Sequence, residues 1–559
     1  MSKTKNIDRT RAQESTNAIE KLYISMRHLF SRGFYKPMGI SGEALRKSLL
    51  LLRPEIYGSI AEERTELDGL VYVIERLPEG IEECQFINLT ADEGYKNSHF
   101  ESIIPPKRRR NCYRIDKDQM NIEITRGRSE IYDILTHLTF LFVESHKIQE
   151  RVSLNEGEDF IREWKYLEDV VLHQKIISEK EKQVLIVHLG NILGRTYEEV
   201  SGLCQVFSSE ENPLKFFNLI YWLGKLAINE VFKNKKRTVT FSTVLIEEIG
   251  HHIYGEIWAN DIKKVLKENT LLERPIHIIS ANMHSVLNSI YAQGALPEEA
   301  KKYKGFELYQ LLSNSDSKPL QKKVKDYASE NGLIYVKDTS GTNINVQIID
   351  TDKINFDVSP FKKENSIGEN AVIIVMDYAF GEQAFETMDE LLKPYGKKKD
   401  NIHLDVKSVS IMGKAGILEG GKGDIMIPSA HIFEGTADNY PFENELSKED
   451  LEGFGVQVFD GSMISVLGTS LQNKDLLKFF HDSTWNVIGL EMEGAHYQKA
   501  IQSASKIRGN ISENVKVRYA YYASDNPLET GATLASGGLG MTGVTPTYAI
   551  TQRILEQIL

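Results

Sequence analysis

Two stretches of the chain place acids where chemistry is possible. In NVIGLEMEGAHYQKA, residues 486–500, Glu491 and Glu493 are separated by one residue at the end of an apolar run, and a small-residue helix start follows at once. In YYASDNPLETGA, residues 521–532, Ser524 and Asp525 stand directly after another apolar run. A carboxylate held in place can pass a proton to a reacting group, an effect worth roughly 10²–10⁴-fold in rate. A third stretch, IMGKAGILEGGKGDIMIP, carries Gly413, Gly416 and Gly423, where the backbone can turn tightly and approach a ligand. Each has a plainer reading: a solvated acidic strand end, an Asp that forms a turn before Asn-Pro, and an ordinary glycine turn.

The elements that must position these residues change character near Leu272. Before it the chain reads mostly as helix. Ile131, Ile134, Leu135, Leu138 and Leu141 keep the i, i+3, i+4, i+7 rhythm of an amphipathic helix, and Trp164, Leu167 and Val171 repeat it. NPLKFFNLIYWLGKLAINEVF reads as a more buried helix, and strand-like alternation is scarce. After Leu272 come RPIHIISANMHSV, GLIYVKDTSGTNINVQIID, NAVIIVMDYAFGEQAFETMDELLKPYG, VKSVSIMGKAG, GDIMIPSAHIFEG and VKVRYAYYASDNP, β-rich runs that end in loop-forming residues, with helices between some of them. The pattern predicts a mainly α-helical domain over residues 1–270. It predicts an α/β domain with a mixed central sheet flanked by helices over 272–559. Ligands in such sheets bind beyond the carboxyl ends of strands, where the acidic stretches fall.

Whole-chain properties narrow the class. A chain of 559 residues exceeds a single core, since cores stop growing near about 250–300 residues. Hydrophobic residues make up 41% and charged residues 26%, ordinary for globular protein, and the formal net charge of −12 argues against general attraction to nucleic acid or anionic membrane. Cys84, Cys112 and Cys204 are scattered, odd in number and free of any CxxC pattern, which suits a reducing cytoplasm. The first residues have no apolar signal core, and no uncharged run of about 20 apolar residues predicts a membrane span.

Taken together and in order, the C-terminal motifs resemble the nucleoside phosphorylase/nucleosidase superfamily over about residues 272–559. VKSVSIMGKAGILEGGKGDIMIP resembles its central strand, glycine turn and following strand, and HIFEGTADNYP its Gly-Thr loop. GLEMEG resembles the ribose-binding Met-Glu motif, and ASDNP the Ser-Asp motif that carries the acid. PIHIISANMHSV and VIIVMDYAFGEQAFETMDELLKPYG stand where the first strand and the strand–glycine–helix unit belong. AMP nucleosidases are similar in pairing this domain with a large N-terminal one and in SDxPL after the catalytic strand; methylthioadenosine nucleosidases are the other near resemblance.

The resemblance implies cleavage of an N-glycosidic bond through an oxocarbenium-like transition state, with labour divided as in glycosidases. It implies Glu493 on the ribose hydroxyls, Met492 under the sugar, and Asp525, oriented by Ser524, as the acid toward purine N7. Asp rather than Asn at 525 leans toward adenine. Glu491 is expected on the other side of its segment, supporting the loop. Gly381, Gly416, Thr436 and Ser470 complete the expected substrate-binding set. The first-strand loop SANMHS and the turn YAFGEQA contain no Arg for phosphate, which points to water as nucleophile and a nucleosidase. His284 falls at the base position, and also where a 5′-phosphate would lie; Asp377 and Glu382 are alternative bases. GTSLQN lacks the aromatic residue that would stack on a purine. No metal or organic cofactor is expected. The partner is a small-molecule purine nucleoside or nucleotide, and relatives imply a homo-oligomer. A phosphate-dependent phosphorylase and an inactive nucleoside-binding sensor stay open as alternatives.

Other signals carry less. Glu248 and His251 in EEIGHHIYGE sit at i, i+3, as in carboxylate-bridged metal sites, but such sites need further Glu and His ligands from other helices, and a solvated or capped helix face is the favoured reading. Lys107–Arg110 and Lys233–Arg237 read as surface charge, or as places for an allosteric anion.

Overall fold

The computed structural model describes residues 2–154, 158–173, 175, 177–209, 212–362, 370–396, 401–436, 438–530 and 539–559. Two compact units form. One gathers residues 1–13, 125–130 and 251–559, and the other gathers 14–124 and 131–250.

The second unit is rich in helix but also holds a six-stranded sheet. Its strands are β1 (Phe34–Tyr35), β2 (Phe86–Thr90), β3 (Ser102–Ile103), β4 (Cys112–Asp116), β5 (Gln119–Glu123) and β6 (Thr238–Phe241), in the order β1-β6-β2-β5-β4-β3. None is longer than five residues, too short for alternation to stand out in the sequence. Ile131, Ile134, Leu135, Leu138 and Leu141, the predicted apolar stripe, are buried on the helix Gly127–Val152. In the basic runs Lys107, Arg109, Lys235 and Lys236 are exposed, as the surface reading expects, whereas the last residue of each run departs from it. Arg110 and Arg237 are buried, and each meets a carboxylate, Asp133 at 3.2 Å and Glu230 at 2.6 Å. A buried guanidinium without a partner would be costly, so these residues are held by structure. Burial opposes ionisation of Asp133, but Arg108 and His137 outweigh it and hold the carboxyl well below the usual carboxylate range.

The first unit is built on a ten-stranded mixed sheet. Its strands are β7 (Ile276–Ser280), β8 (Leu333–Val336), β9 (Val346–Asp350), β10 (Val372–Met376), β11 (Val406–Ile417), β12 (Ile425–Phe433), β13 (Asn439–Pro441), β14 (Val458–Ser465), β15 (Val487–Glu491) and β16 (Lys516–Asp525). β7, β9, β10 and β15 are fully buried and mostly apolar, as strands covered on both faces are; His277, Gln347, Asp350 and Glu491 are the larger polar exceptions. β11 is the longest. Its first half pairs in parallel with β7, its last two residues pair antiparallel with β15, and β16 runs parallel beside it. β16 also pairs with β12, β12 with β14 and β14 with β15, so β11, β16, β12, β14 and β15 close into a ring. One cluster of apolar side chains, including Met426, Met463, Ile488 and Ala523, packs on one side of the sheet, and a second, including Met412, Ala520 and Tyr548, on the other. The helix Ile253–Glu268, read from the sequence with the N-terminal half, buries Trp258, Ile262 and Leu266 in the first of these clusters. Among the described residues no helix is long and apolar enough to cross a membrane.

Ring closure depends on one close approach. A Cβ on Gly489 of β15 would stand 2.6 Å from the Gly416 carbonyl oxygen and 2.4 Å from the Met426 sulfur. Gly489→Ala is therefore expected to cost about 1–3 kcal/mol by overpacking, read as a lowered thermal denaturation midpoint. Gly202→Ala, on a helix with nothing within 4 Å of the new methyl, should leave that midpoint unchanged or higher.

Candidate active site

β15 ends at Glu491, and the helix Gly494–Gln502 begins three residues later with Glu493 as its N-cap. This geometry separates the two acids. Side chains two apart on a continuous strand would share a face, but Glu493 has already left the strand, at φ −119° and ψ −26°. The Glu491 carboxylate turns inward, accepting the backbone N–H groups of Glu493 and Gly494 and the Ser465 hydroxyl. It thus satisfies the helix start, a role that a carboxylate fills well against the positive end of a helix. Burial, then the neighbouring Glu493 charge, pushes Glu491 up to about 8.

Glu493 is held from the other side of the site. Its carboxylate accepts the N–H of Gly381 at 2.9 Å. Burial pushes it up to about 7, against that hydrogen bond. Gly381 follows β10 and has φ +54°, and an added Cβ would lie 2.4 Å from the Ser129 Oγ, so only glycine fits. Met492 reaches the same turn, its Cε 3.9 Å from that Cβ position. The turn is fixed in turn by Ser129, whose hydroxyl accepts the N–H of Glu382 at 2.8 Å, and by Arg128, which pairs with the Glu382 carboxylate at 3.0 Å. Glu382 is thereby committed to an ion pair.

Asp525 ends β16. In register it stands opposite Gly416 of β11, and Gly416 also stands opposite Leu490 of β15. One glycine therefore lies between the acid and the strand end that delivers Glu493, two strand spacings or about 10 Å across. Ser524 donates to the Ala415 carbonyl at 3.0 Å and contacts one Asp525 carboxyl oxygen. The other oxygen, Oδ2, is buried and has no hydrogen-bond partner among the described residues. Burial raises the Asp525 pKa above the ordinary aspartate value, opposed by Ser524, Lys414 and Lys422. Asn526 anchors the following turn through the Gly420 carbonyl at 3.0 Å.

The remaining candidates divide. A cavity of about 830 Å³ is lined by His284, Asp377, Lys414 and Tyr522, at the carboxyl ends of β7, β10, β11 and β16. His284 is exposed in the first turn of the helix Met283–Ala295, which Asn282 caps at 2.9 Å. Thr436 lies on an exposed bend and Ser470 is buried in the turn after β14; neither hydrogen-bonds to Asp525 or Glu493 among the described residues. Three residues of this region escaped the sequence reading. Lys414 carried a signal, a lysine inside an otherwise apolar strand, and it is the one exposed position of β11 after Lys407. Arg128 and Ser129 carried none, because their partners lie some 250 residues away, at separations of 254 and 253.

The sequence matches the family described as Family of unknown function (DUF6909) over residues 43–302 and 293–559, and the chain belongs to that family. No curated protein matches it. Solved structures similar to it include a 5′-methylthioadenosine/S-adenosyl homocysteine nucleosidase of Campylobacter jejuni, at 11% identity and TM-score 0.30, covering 51% of this chain and 99% of that one. Futalosine hydrolase of Helicobacter pylori strain 26695 is 12% identical with TM-score 0.31, covering 51% and 98%. Isoform 2 of uridine phosphorylase from Schistosoma mansoni is 12% identical with TM-score 0.30, covering 52% and 89%.

Loss of the Glu491 carboxylate should free the helix start without touching Gly381. Glu491→Ala is expected to speed amide hydrogen exchange at Glu493 and Gly494 by roughly tenfold, the scale of a lost cap. Unchanged exchange there would mean that the carboxylate holds nothing.

Proposed function

We propose that the first unit hydrolyses the N-glycosidic bond of a purine nucleoside or nucleotide, adenine being the favoured base. The observation that carries this reading is the arrangement about Gly416. Asp525, with a raised pKa and a buried oxygen that has no partner among the described residues, stands on one side, and the strand leading to the anchored Glu493 on the other. The order of the sequence motifs supports it independently.

In this mechanism the bond between C1′ and N9 breaks heterolytically. Asp525 delivers its proton to N7, so the base leaves neutral. Positive charge grows on the sugar, where the ionised Glu493 stabilises it more than it stabilises the ground state. A water oxygen then bonds to C1′ and loses its proton. Asp377 and His284 line one cavity with Lys414 and Tyr522, two residues before Ser524, and are the candidates to take it, whereas Glu382 is engaged by Arg128. The cationic Lys414 on that cavity also favours a second reading, in which phosphate replaces water. Incubation with adenosine or AMP, with and without phosphate, separates the two. Free ribose or ribose phosphate marks hydrolysis, and ribose 1-phosphate marks phosphorolysis.

Asp525→Asn should lower turnover by at least about 10²-fold with the fold intact, since it removes a positioned proton donor. Near wild-type base release from that variant would remove Asp525 from the mechanism. Glu493→Gln should lose kcat more than ground-state affinity.

The pH profile follows from burial. Because Glu493 is pushed up to about 7, it takes up a proton as pH falls through neutrality, and the charge that the sugar needs is lost. The kcat/KM for base release should therefore rise with pH through about 7 in the wild type and flatten in Glu493→Gln. The raised pKa of Asp525 acts in the opposite sense, keeping the acid form present to higher pH than an ordinary aspartate would.

A further inference from the structure

The 830 Å³ cavity continues from His284 and Asp377 to the helix Lys318–Glu330. That helix turns Lys318, Lys322 and Lys325 into it, at i, i+4 and i+7 on one face, while Val324 and Ala328 are buried on the other. Lys414 enters from β11, so four lysines and His284 converge on one concavity whose described lining residues include a single acid, Asp377. None of the four lysines pairs with a carboxylate among the described residues; Lys325 instead stands 4.6 Å from the Tyr335 ring centroid. The concentration of cations is unusual in a chain of net charge −12. Neutral amides, among them Asn282 and Gln321, line the same wall.

Unpaired ammonium groups facing each other across a cavity repel one another, and a multiply charged anion removes that cost. Ammonium groups on long stems and amide donors together suit phosphoryl oxygens. The volume lies in the range of whole ligand pockets, about 300–1,000 Å³, well beyond one phosphate ion. We infer that this cavity binds phosphoryl groups, those of a nucleotide substrate's 5′ chain or of free phosphate. The nucleotide source rests on the glycosidase reading above; the anion site itself does not.

The test uses the full chain and calorimetric titration with inorganic tripolyphosphate, inorganic phosphate, adenosine, AMP and ATP. The comparison variant carries Lys318→Ala, Lys322→Ala and Lys325→Ala. A control of equal charge change carries Lys301→Ala, Lys302→Ala and Lys323→Ala, which lie outside the cavity lining. The expected result is tripolyphosphate binding that weakens at least about tenfold in the cavity variant and less than about twofold in the control, since several ammonium–phosphoryl contacts are lost at once. If AMP and ATP bind more tightly than adenosine and lose that advantage in the cavity variant, the source is the nucleotide. If phosphate alone binds with the same dependence and base release requires it, the source is free phosphate. Equal binding of every anion by the wild type and both variants would overturn the site. Tripolyphosphate carries no base, so its binding stands or falls apart from glycosidase activity; loss of base release with binding retained would count against the glycosidase reading only.

Discussion

The strand Val406–Ile417 exchanges one neighbour for another along its length, and the candidate site hangs from that exchange. Over its first half it lies between β7 and β16; at Gly416 and Ile417 its partner on one side is β15. A flat sheet cannot make this switch, because β15 belongs to the chain of pairings that leads through β14 and β12 back to β16. Closing that ring sets the end of β15 and the end of β16 on either side of β11, with Asp525 and the strand end that leads to Glu493 flanking one glycine. The close approach of Gly489 to the Gly416 carbonyl is the local condition for closure.

The ring also concentrates buried acids. Glu434, Glu491 and Glu493 are all pushed up, to about 8, 8 and 7, with burial as the leading cause in each. Burying carboxylates costs stability unless they are paired. Glu491 recovers part of it through backbone N–H groups, Glu493 through the Gly381 N–H, and among the described residues one Asp525 oxygen has no partner. Groups kept at such cost, with capacity for hydrogen bonds unspent, are the groups that a bound molecule can satisfy.

Much of this was legible from local pattern. The strands of the first unit announce themselves because burial on both faces demands runs such as VIIVM and VIGLE, and the site candidates sit where those runs stop. The strands of the other unit are too short to announce themselves. Glu491 and Glu493 are separated because the chain turns helical between them, not because they lie on one extended segment. Lys414 was visible as a polar residue in a core strand but was overshadowed by its glycines. The buried pairing of Arg110 and Arg237 depends on Asp133 and on Glu230 within folded units, and a run of basic residues looks the same whether or not such partners exist. Arg128 and Ser129 lie beyond any local reading, because nothing in the sequence near them speaks of Gly381 or Glu382.

Residues 125–130 form part of the first unit, yet they lie in the chain between the two portions of the other. During synthesis they leave the ribosome long before Gly381 and Glu382 exist, and the loop that joins them to those partners spans most of the intervening chain. Closing so long a loop adds little entropy per extra residue but makes the contact late to form. The turn that anchors Glu493 is thus among the last places to be completed, and a fragment cut at residue 251 would keep every strand of the ring while lacking the arginine and serine that brace it. The unit that carries the acids is discontinuous in sequence, and no single cut can excise it whole.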